Sequence, residues 1–196
     1  MRKIILATHN QGKVNELKQM LMGLEAEVYS LTDIDYLTEI PEAGTTFLEN
    51  ALIKARTIAK KYDALIIADD SGLSVDYLLG APGVYSARYA GVNASDDENI
   101  DKLLRELKEV EPSQRGAQFI CQLAVINENK DEYLFTGTCS GTILQERLGN
   151  AGFGYDPIFY THYYNKSMAQ LQPEQKNQIS HRAAAFKKMI AKIGEI

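Results

Sequence analysis

The hydrophobic pattern of this chain changes period once, near residue 115, and that change limits the possible folds more than any other feature. Before it, short apolar runs alternate with stretches of helical spacing. Ile4-Ile5-Leu6-Ala7 leads through a polar loop to Val14, Leu17, Met20, Leu21 and Leu24, which recur every three or four residues. Thr46-Phe47-Leu48-Glu49 is a capping box that opens an Ala-rich amphipathic helix running to Lys61, and Ala64-Leu65-Ile66-Ile67-Ala68 then reads as a buried strand. Ser95-Asp96-Asp97-Glu98 is a second capping box, and Ile100, Leu103, Leu104 and Leu107 mark one face of its helix before Pro112. Beyond the change, residues 117–126 and 132–143 are β-rich and flank a turn-like segment at 127–131, as in a long hairpin or meander. Ser180 is placed to cap a last helix carrying Ala183, Phe186, Met189, Ile190 and Ile193. The pattern predicts an α/β fold.

A chain of 196 residues, 45% hydrophobic and 24% charged, has enough apolar material for one domain. No repeat or linker divides it, so residues 1–196 are expected to form one domain, with two lobes meeting near residue 115. A net charge of −5 argues against a nucleic-acid backbone as partner, because that interaction needs a basic surface. It leaves room for a small phosphorylated ligand, which a few cations and amide donors can hold. Cys121 and Cys139 lack metal-ligand spacing and are expected as buried, reduced thiols. The N-terminal apolar run is too short for a signal peptide and no stretch reaches membrane-spanning length, so no membrane association and a cytoplasmic location are expected.

Four segments have side chains suited to chemistry. Asp69-Asp70-Ser71-Gly72 follows an apolar strand, and α/β sheets bind ligands beyond the carboxyl ends of strands. Two adjacent carboxylates there suit Mg²⁺, although a turn capped by Asp and Ser reads equally well. Thr8-His9-Asn10-Gln11-Gly12-Lys13 sits at a strand-to-helix junction, where free N–H groups favour an anion. Ala7 and Val14 exclude a Walker A loop, and an ordinary capped helix start is the alternative. Residues 81–88 and Gly152-Phe153-Gly154-Tyr155-Asp156-Pro157 are either tight turns or glycine-shaped loops offering an aromatic face to a base. Lys176, His181 and Arg182 form either a solvated charged face or a donor cluster for an anionic or carbonyl-bearing ligand.

In this order the segments closely resemble the inosine triphosphate pyrophosphatase family over nearly the whole chain. The resemblance rests on Thr8-His9-Asn10 with Lys13 and Glu16, on Phe47-Leu48-Glu49-Asn50-Ala51 with Lys54, and on Ala68-Asp69-Asp70-Ser71-Gly72-Leu73. It continues through Pro82-Gly83-Val84-Tyr85-Ser86-Ala87-Arg88, Phe153-Gly154-Tyr155-Asp156-Pro157-Ile158-Phe159 and Ile179-Ser180-His181-Arg182. It implies an elongated mixed β-sheet with flanking helices, forming two lobes around a deep active-site cleft. The implied reaction is Mg²⁺-dependent hydrolysis of ITP, dITP and XTP to the monophosphate and pyrophosphate, by a homodimer.

Residue by residue, the resemblance implies that Asp70 is the catalytic base and, with Glu42, a metal ligand. Thr8, His9, Asn10, Gln11, Gly12 and Lys13 would bind the triphosphate, and Ser71 would touch the substrate. Phe153, Gly154, Tyr155, Asp156, Lys176, His181 and Arg182 would form the nucleoside pocket. Asp69 and Lys54 receive no firm role. His9 stands where many members have glycine or asparagine, and Asn150-Ala151 replaces a commoner pair.

Overall fold

The computed structural model describes residues 1–23 and 25–196; Leu24, placed on the first helical stripe from its spacing, lies outside the described residues. Strands β1 (Arg2–Leu6) and β2 (Ala26–Ser30) enclose helix α1 (Gln11–Met20) in sequence, followed by α2 (Phe47–Ala59) and β3 (Leu65–Val75). Helix α3 (Asp96–Glu106) precedes β4 (Gly116–Ile126) and β5 (Glu132–Ile143). The chain ends with β6 (Phe159–Thr161), β7 (Lys166–Ser167), α4 (Pro173–Ile179) and α5 (His181–Ile190). Among the described residues the strands form one seven-stranded mixed sheet in the order β2-β1-β3-β4-β5-β6-β7. β1 pairs in parallel with β2 and β3, whereas β6 runs antiparallel to β5 and β7.

Local chemistry explains much of this. Both capping boxes form: Thr46 accepts from the Glu49 amide and Ser95 from the Glu98 amide, with each glutamate reaching back to its cap. The segment between β4 and β5 closes through Asn127 N–H to the Asp131 carbonyl, at 3.1 Å. β2 carries no clear apolar alternation, and its sequence does not announce a strand. The expected last helix is present, with Ser180 at the junction between α4 and α5.

The residues group into two compact units: 1–70, 121–137 and 182–196 in unit 1, and 71–120 and 138–181 in unit 2. Unit 1 has two apolar clusters fed by alternate residues of the same strands. Ile4, Leu6, Leu65 and Ile67 pack with Leu17 of α1 and with Ala185, Phe186 and Met189 of α5. Ile5, Ala7, Ile66 and Ala68 pack instead with Ala51, Ala55, Ile58 and Ala59 of α2. Covering both faces is why these parallel strands read as unbroken apolar runs rather than alternating ones. Each fully buried aliphatic side chain contributes roughly 1.5–3 kcal/mol.

Unit 2 packs Leu73 and Val75 of β3 with Ile100 and Leu103 of α3, Phe119, Cys139, Tyr155 and Phe159. Arg115, only 2% exposed, donates to the carbonyls of Leu107, Ile143 and Leu144. Leu107 caps the C-terminus of α3, where a cation also meets the negative end of the helix dipole. Cys121 and Cys139 are free and buried in separate clusters, and burial pushes their thiols up to about 12 and about 11.

Candidate active site

The Asp69-Asp70 pair belongs to β3 and not to a turn beyond it, which corrects the expectation from sequence. Pairing with β1 runs only from Leu65 to Ile67, because β1 ends at Leu6 and the chain leaves for α1. β3 continues to Val75 without that neighbour. The carboxylates therefore still lie past the end of β1, but on extended backbone. Extended backbone sends successive side chains to opposite faces. Asp69 follows Leu65 and Ile67 towards α1 and α5, and Asp70 follows Ile66 and Ala68 towards α2. The two carboxylates thus contact different cations directly, Asp69 meeting Lys13 and Arg182 and Asp70 meeting Lys54, while each also feels the charge of the other's lysine.

On the first face, Asp69 Oδ2 is 3.0 Å from Lys13 Nζ and 3.4 Å from Arg182 Nε, and its side chain has no exposure. Arg182 also pairs through Nη1 with Glu16, one turn after Lys13 on α1. Burial alone would raise the Asp69 carboxyl, but Lys13, Arg182 and Lys54 together hold it well below the usual carboxylate range. Burial likewise disfavours the Arg182 cation, and Asp69 and Glu16 outweigh it, holding Arg182 fully charged.

On the second face, Asn50 and Lys54 sit one turn apart on α2. Asn50 Nδ2 donates to Asp70 Oδ2 at 3.1 Å, and Lys54 Nζ reaches Asp70 Oδ1 at 3.3 Å and Glu42 Oε1 at 2.8 Å. Gly44 lets the acidic segment lie against α2: its amide donates to Asn50 Oδ1 at 2.8 Å, and an added Cβ would fall 2.7 Å from that oxygen. Burial raises the Asp70 carboxyl above its ordinary value; Lys54 opposes the rise and Glu42 adds to it. For Lys54, burial works against the charge and is outweighed by Asp70, Asp69 and Glu42, so it stays an ammonium.

The expected phosphate loop is a capped helix start in its local bonding. Asn10 accepts from the Lys13 amide at 3.1 Å and donates its own amide to Thr8 Oγ1. Gln11 binds Asn15, while His9 is exposed and Gly12 half-buried. What remains for an anion here is the N-terminus of α1 with Lys13 beside it.

In unit 2, Asp156 Oδ2 accepts from the Phe153 amide at 3.0 Å and from Lys176 Nζ at 2.7 Å. Lys176 Nζ also lies 4.8 Å from the centre of the Phe153 ring. Gly152 has a φ of +82°, and a Cβ there would stand 2.0 Å from Asp156 Oδ2, so only glycine permits this hairpin of contacts. The Gly154 amide donates to Asp96 Oδ2 at 2.6 Å, from the first turn of α3. His181 stacks on Phe119 with ring centres 4.8 Å apart, and Ser71 is half-buried.

One expected pocket residue stands differently. Tyr155 is 4% exposed, lies in the unit 2 core and donates its hydroxyl to the Ser86 carbonyl, so its ring is packing and not a stacking face. Arg182 pairs with Asp69 and Glu16, and Lys176 pairs with Asp156. Asn50, Glu16 and Asp96 were not among the expected site residues. The i, i+4 spacing of Asn50 and Lys54, and the i, i+3 spacing of Lys13 and Glu16, are the signals that point to the first two.

The sequence profile of the Ham1 family matches residues 4–192. A dITP/XTP pyrophosphatase of Bacillus anthracis is 48% identical over 197 residues, covering 100% of this chain and 98% of that protein. That of Bacillus subtilis is 50% identical over 189 residues, covering 96% of each. The structure of the Staphylococcus aureus Ham1 protein superposes with a TM-score of 0.88 at 43% identity, and a HAM1 protein of Coxiella burnetii with 0.90 at 42%, each covering 100% of both chains. With its fold, its length and its sequence all matched, this chain belongs to the Ham1 family.

Proposed function

We propose that this chain hydrolyses ITP, dITP and XTP to the monophosphate and pyrophosphate, removing non-standard purines from the nucleotide pool. The full-length Bacillus relatives, named dITP/XTP pyrophosphatases, supply the substrate class. The observation that carries the chemistry is the split of Asp69 and Asp70 between the two faces of β3. It makes Asp69 an anchor for cations and leaves Asp70 as a buried carboxylate oriented by an amide.

Mg²⁺ is part of the proposal. Glu42 and Asp70 both direct an oxygen at one cationic nitrogen, so the donor set suits a hard cation. Among the described residues no group of three or more His, Cys, Asp or Glu side chains is arranged to hold a metal ion. Two carboxylates would therefore share the ion with water and substrate phosphates, as Mg²⁺ commonly does. Bound there, the ion supplies neutralisation and polarisation of the phosphates.

Asp70 takes the proton of the water that attacks the α-phosphorus, and Asn50 fixes the carboxylate plane by holding Oδ2. Lys13, kept extended by Asp69, balances the charge that builds on the leaving pyrophosphate. Base choice falls to unit 2. Phe153 offers a face for stacking, and the Lys176 ammonium can only donate, so it suits a 6-keto oxygen, to which it donates, and meets the 6-amino group of adenine donor to donor. Leaving that donor unpaired can cost several powers of ten in kcat/KM.

No helix of the described residues is long and apolar enough to cross a membrane. A cytoplasmic location and a homodimer complete the proposal, and sedimentation equilibrium tests the second. The main test incubates the protein with ITP, XTP, GTP or ATP and Mg²⁺ and measures pyrophosphate and orthophosphate separately. Pyrophosphate from ITP and XTP, abolished by Asp70→Asn, is expected; orthophosphate alone, or near-normal turnover of that variant, would refute the reading.

A further inference from the structure

Lys54 Nζ stands between the two carboxylates assigned above to the metal, 2.8 Å from Glu42 Oε1 and 3.3 Å from Asp70 Oδ1, with its side chain 9% exposed. It is delivered by a rigid element. α2 is fixed at its N-terminus by the Thr46 and Glu49 capping box, and Asn50, one turn before Lys54, is tied to Asp70 as well. An ammonium has donors and no acceptor, so it engages the same oxygen lone pairs that a divalent cation needs. Mg²⁺ draws its oxygens in to about 2.0–2.1 Å, and in a largely buried site two cations cannot share them without strong repulsion.

We infer that Lys54 and the divalent cation compete for the Glu42 and Asp70 carboxylates, so that metal loading moves the ammonium off Glu42. The inference rests on the Mg²⁺ reading proposed above. It makes Lys54 a placeholder for the metal: its ammonium keeps the carboxylate pair neutralised before the ion arrives and is displaced when it does. The long stem allows this, because four methylenes let the ammonium swing while α2 stays in place.

The test is a Mn²⁺ titration followed by electron paramagnetic resonance, without nucleotide, on the wild type and Lys54→Met. Methionine keeps most of the apolar stem of lysine but removes the competing ammonium. Mn²⁺ binding about tenfold tighter in the variant is expected, a change of about 1.4 kcal/mol. Crystals grown with and without Mn²⁺ should show Lys54 Nζ leaving Glu42 only when the ion is bound. Unchanged or weaker Mn²⁺ binding by the variant, with normal binding by the wild type, would overturn the competition while leaving the metal reading intact. Absence of binding by both proteins would overturn the metal reading and the inference with it. Thermal melting verifies folding, and Lys54→Gln serves as the probe if the methionine variant does not fold.

Discussion

Asp69→Asn removes one negative charge from a site with no solvent exposure and leaves the volume unchanged, so any loss reports electrostatics and not a cavity. The carboxylate holds Lys13 at 3.0 Å and Arg182 at 3.4 Å. Removing one partner of a buried pair typically costs about 3–5 kcal/mol. Two features place this case at the lower end: Arg182 keeps Glu16, and the Lys13 side chain, 15% exposed, can reach water. A loss of about 3 kcal/mol corresponds to a Tm lower by roughly 6–12 °C in a chain of this size. On the proposed role of Lys13 at the leaving pyrophosphate, loss of this anchor should lower kcat and kcat/KM for ITP about tenfold or more, with a smaller change in KM. Differential scanning calorimetry and steady-state pyrophosphate release measure the two effects. A variant that melts within about 2 °C of the wild type at unchanged kcat would refute the anchoring role.

The acid limb of the activity should follow Asp70. In the metal-free protein burial raises its carboxyl, so Asp70 takes up its proton at a higher pH than the ordinary Asp value of about 3.9. The sign for stability differs between the two neighbours. A raised Asp70 favours the folded state as pH falls into its range, whereas the depressed Asp69 stabilises above the ordinary Asp range and that contribution is lost as pH falls through it. Urea midpoints against pH for the wild type and Asp69→Asn separate them; an unchanged pH slope in the variant would refute the assignment. Gly152→Ala should cost about 1–3 kcal/mol through its positive φ and its clash with Asp156, and should raise KM for ITP, checked by urea denaturation and kinetics. Lys176→Met should lower kcat/KM for ITP much more than for ATP, and equal losses would remove it from base recognition. Thr46→Ala should destabilise by about 1 kcal/mol through the lost cap of α2, measured by thermal melting.

Much of the fold is legible in the chain because its signals are short-range. The capping boxes at Thr46 and Ser95, the apolar runs of β1 and β3, and the paired β4 and β5 each depend on residues a few positions apart. The motif order likewise points to the family that the profile and the Bacillus relatives identify. The candidate site is less legible, because its partners are remote: Asn50 meets Asp70 from 20 residues away, and Arg182 meets Asp69 from 113. Tyr155 reads as an exposed loop aromatic until packing buries it under Ser86. The clearest case is Asp69-Asp70 itself. Sequence shows two adjacent carboxylates after an apolar run, and both a turn and a shared metal site fit. Only the continuation of β3 to Val75 without β1 beside it settles that they lie on extended backbone, where alternation sends one to Lys13 and Arg182 and the other to Asn50, Lys54 and Glu42. Composition and period set which side chains are present; the helices packed on each face of the sheet decide what each carboxylate can do.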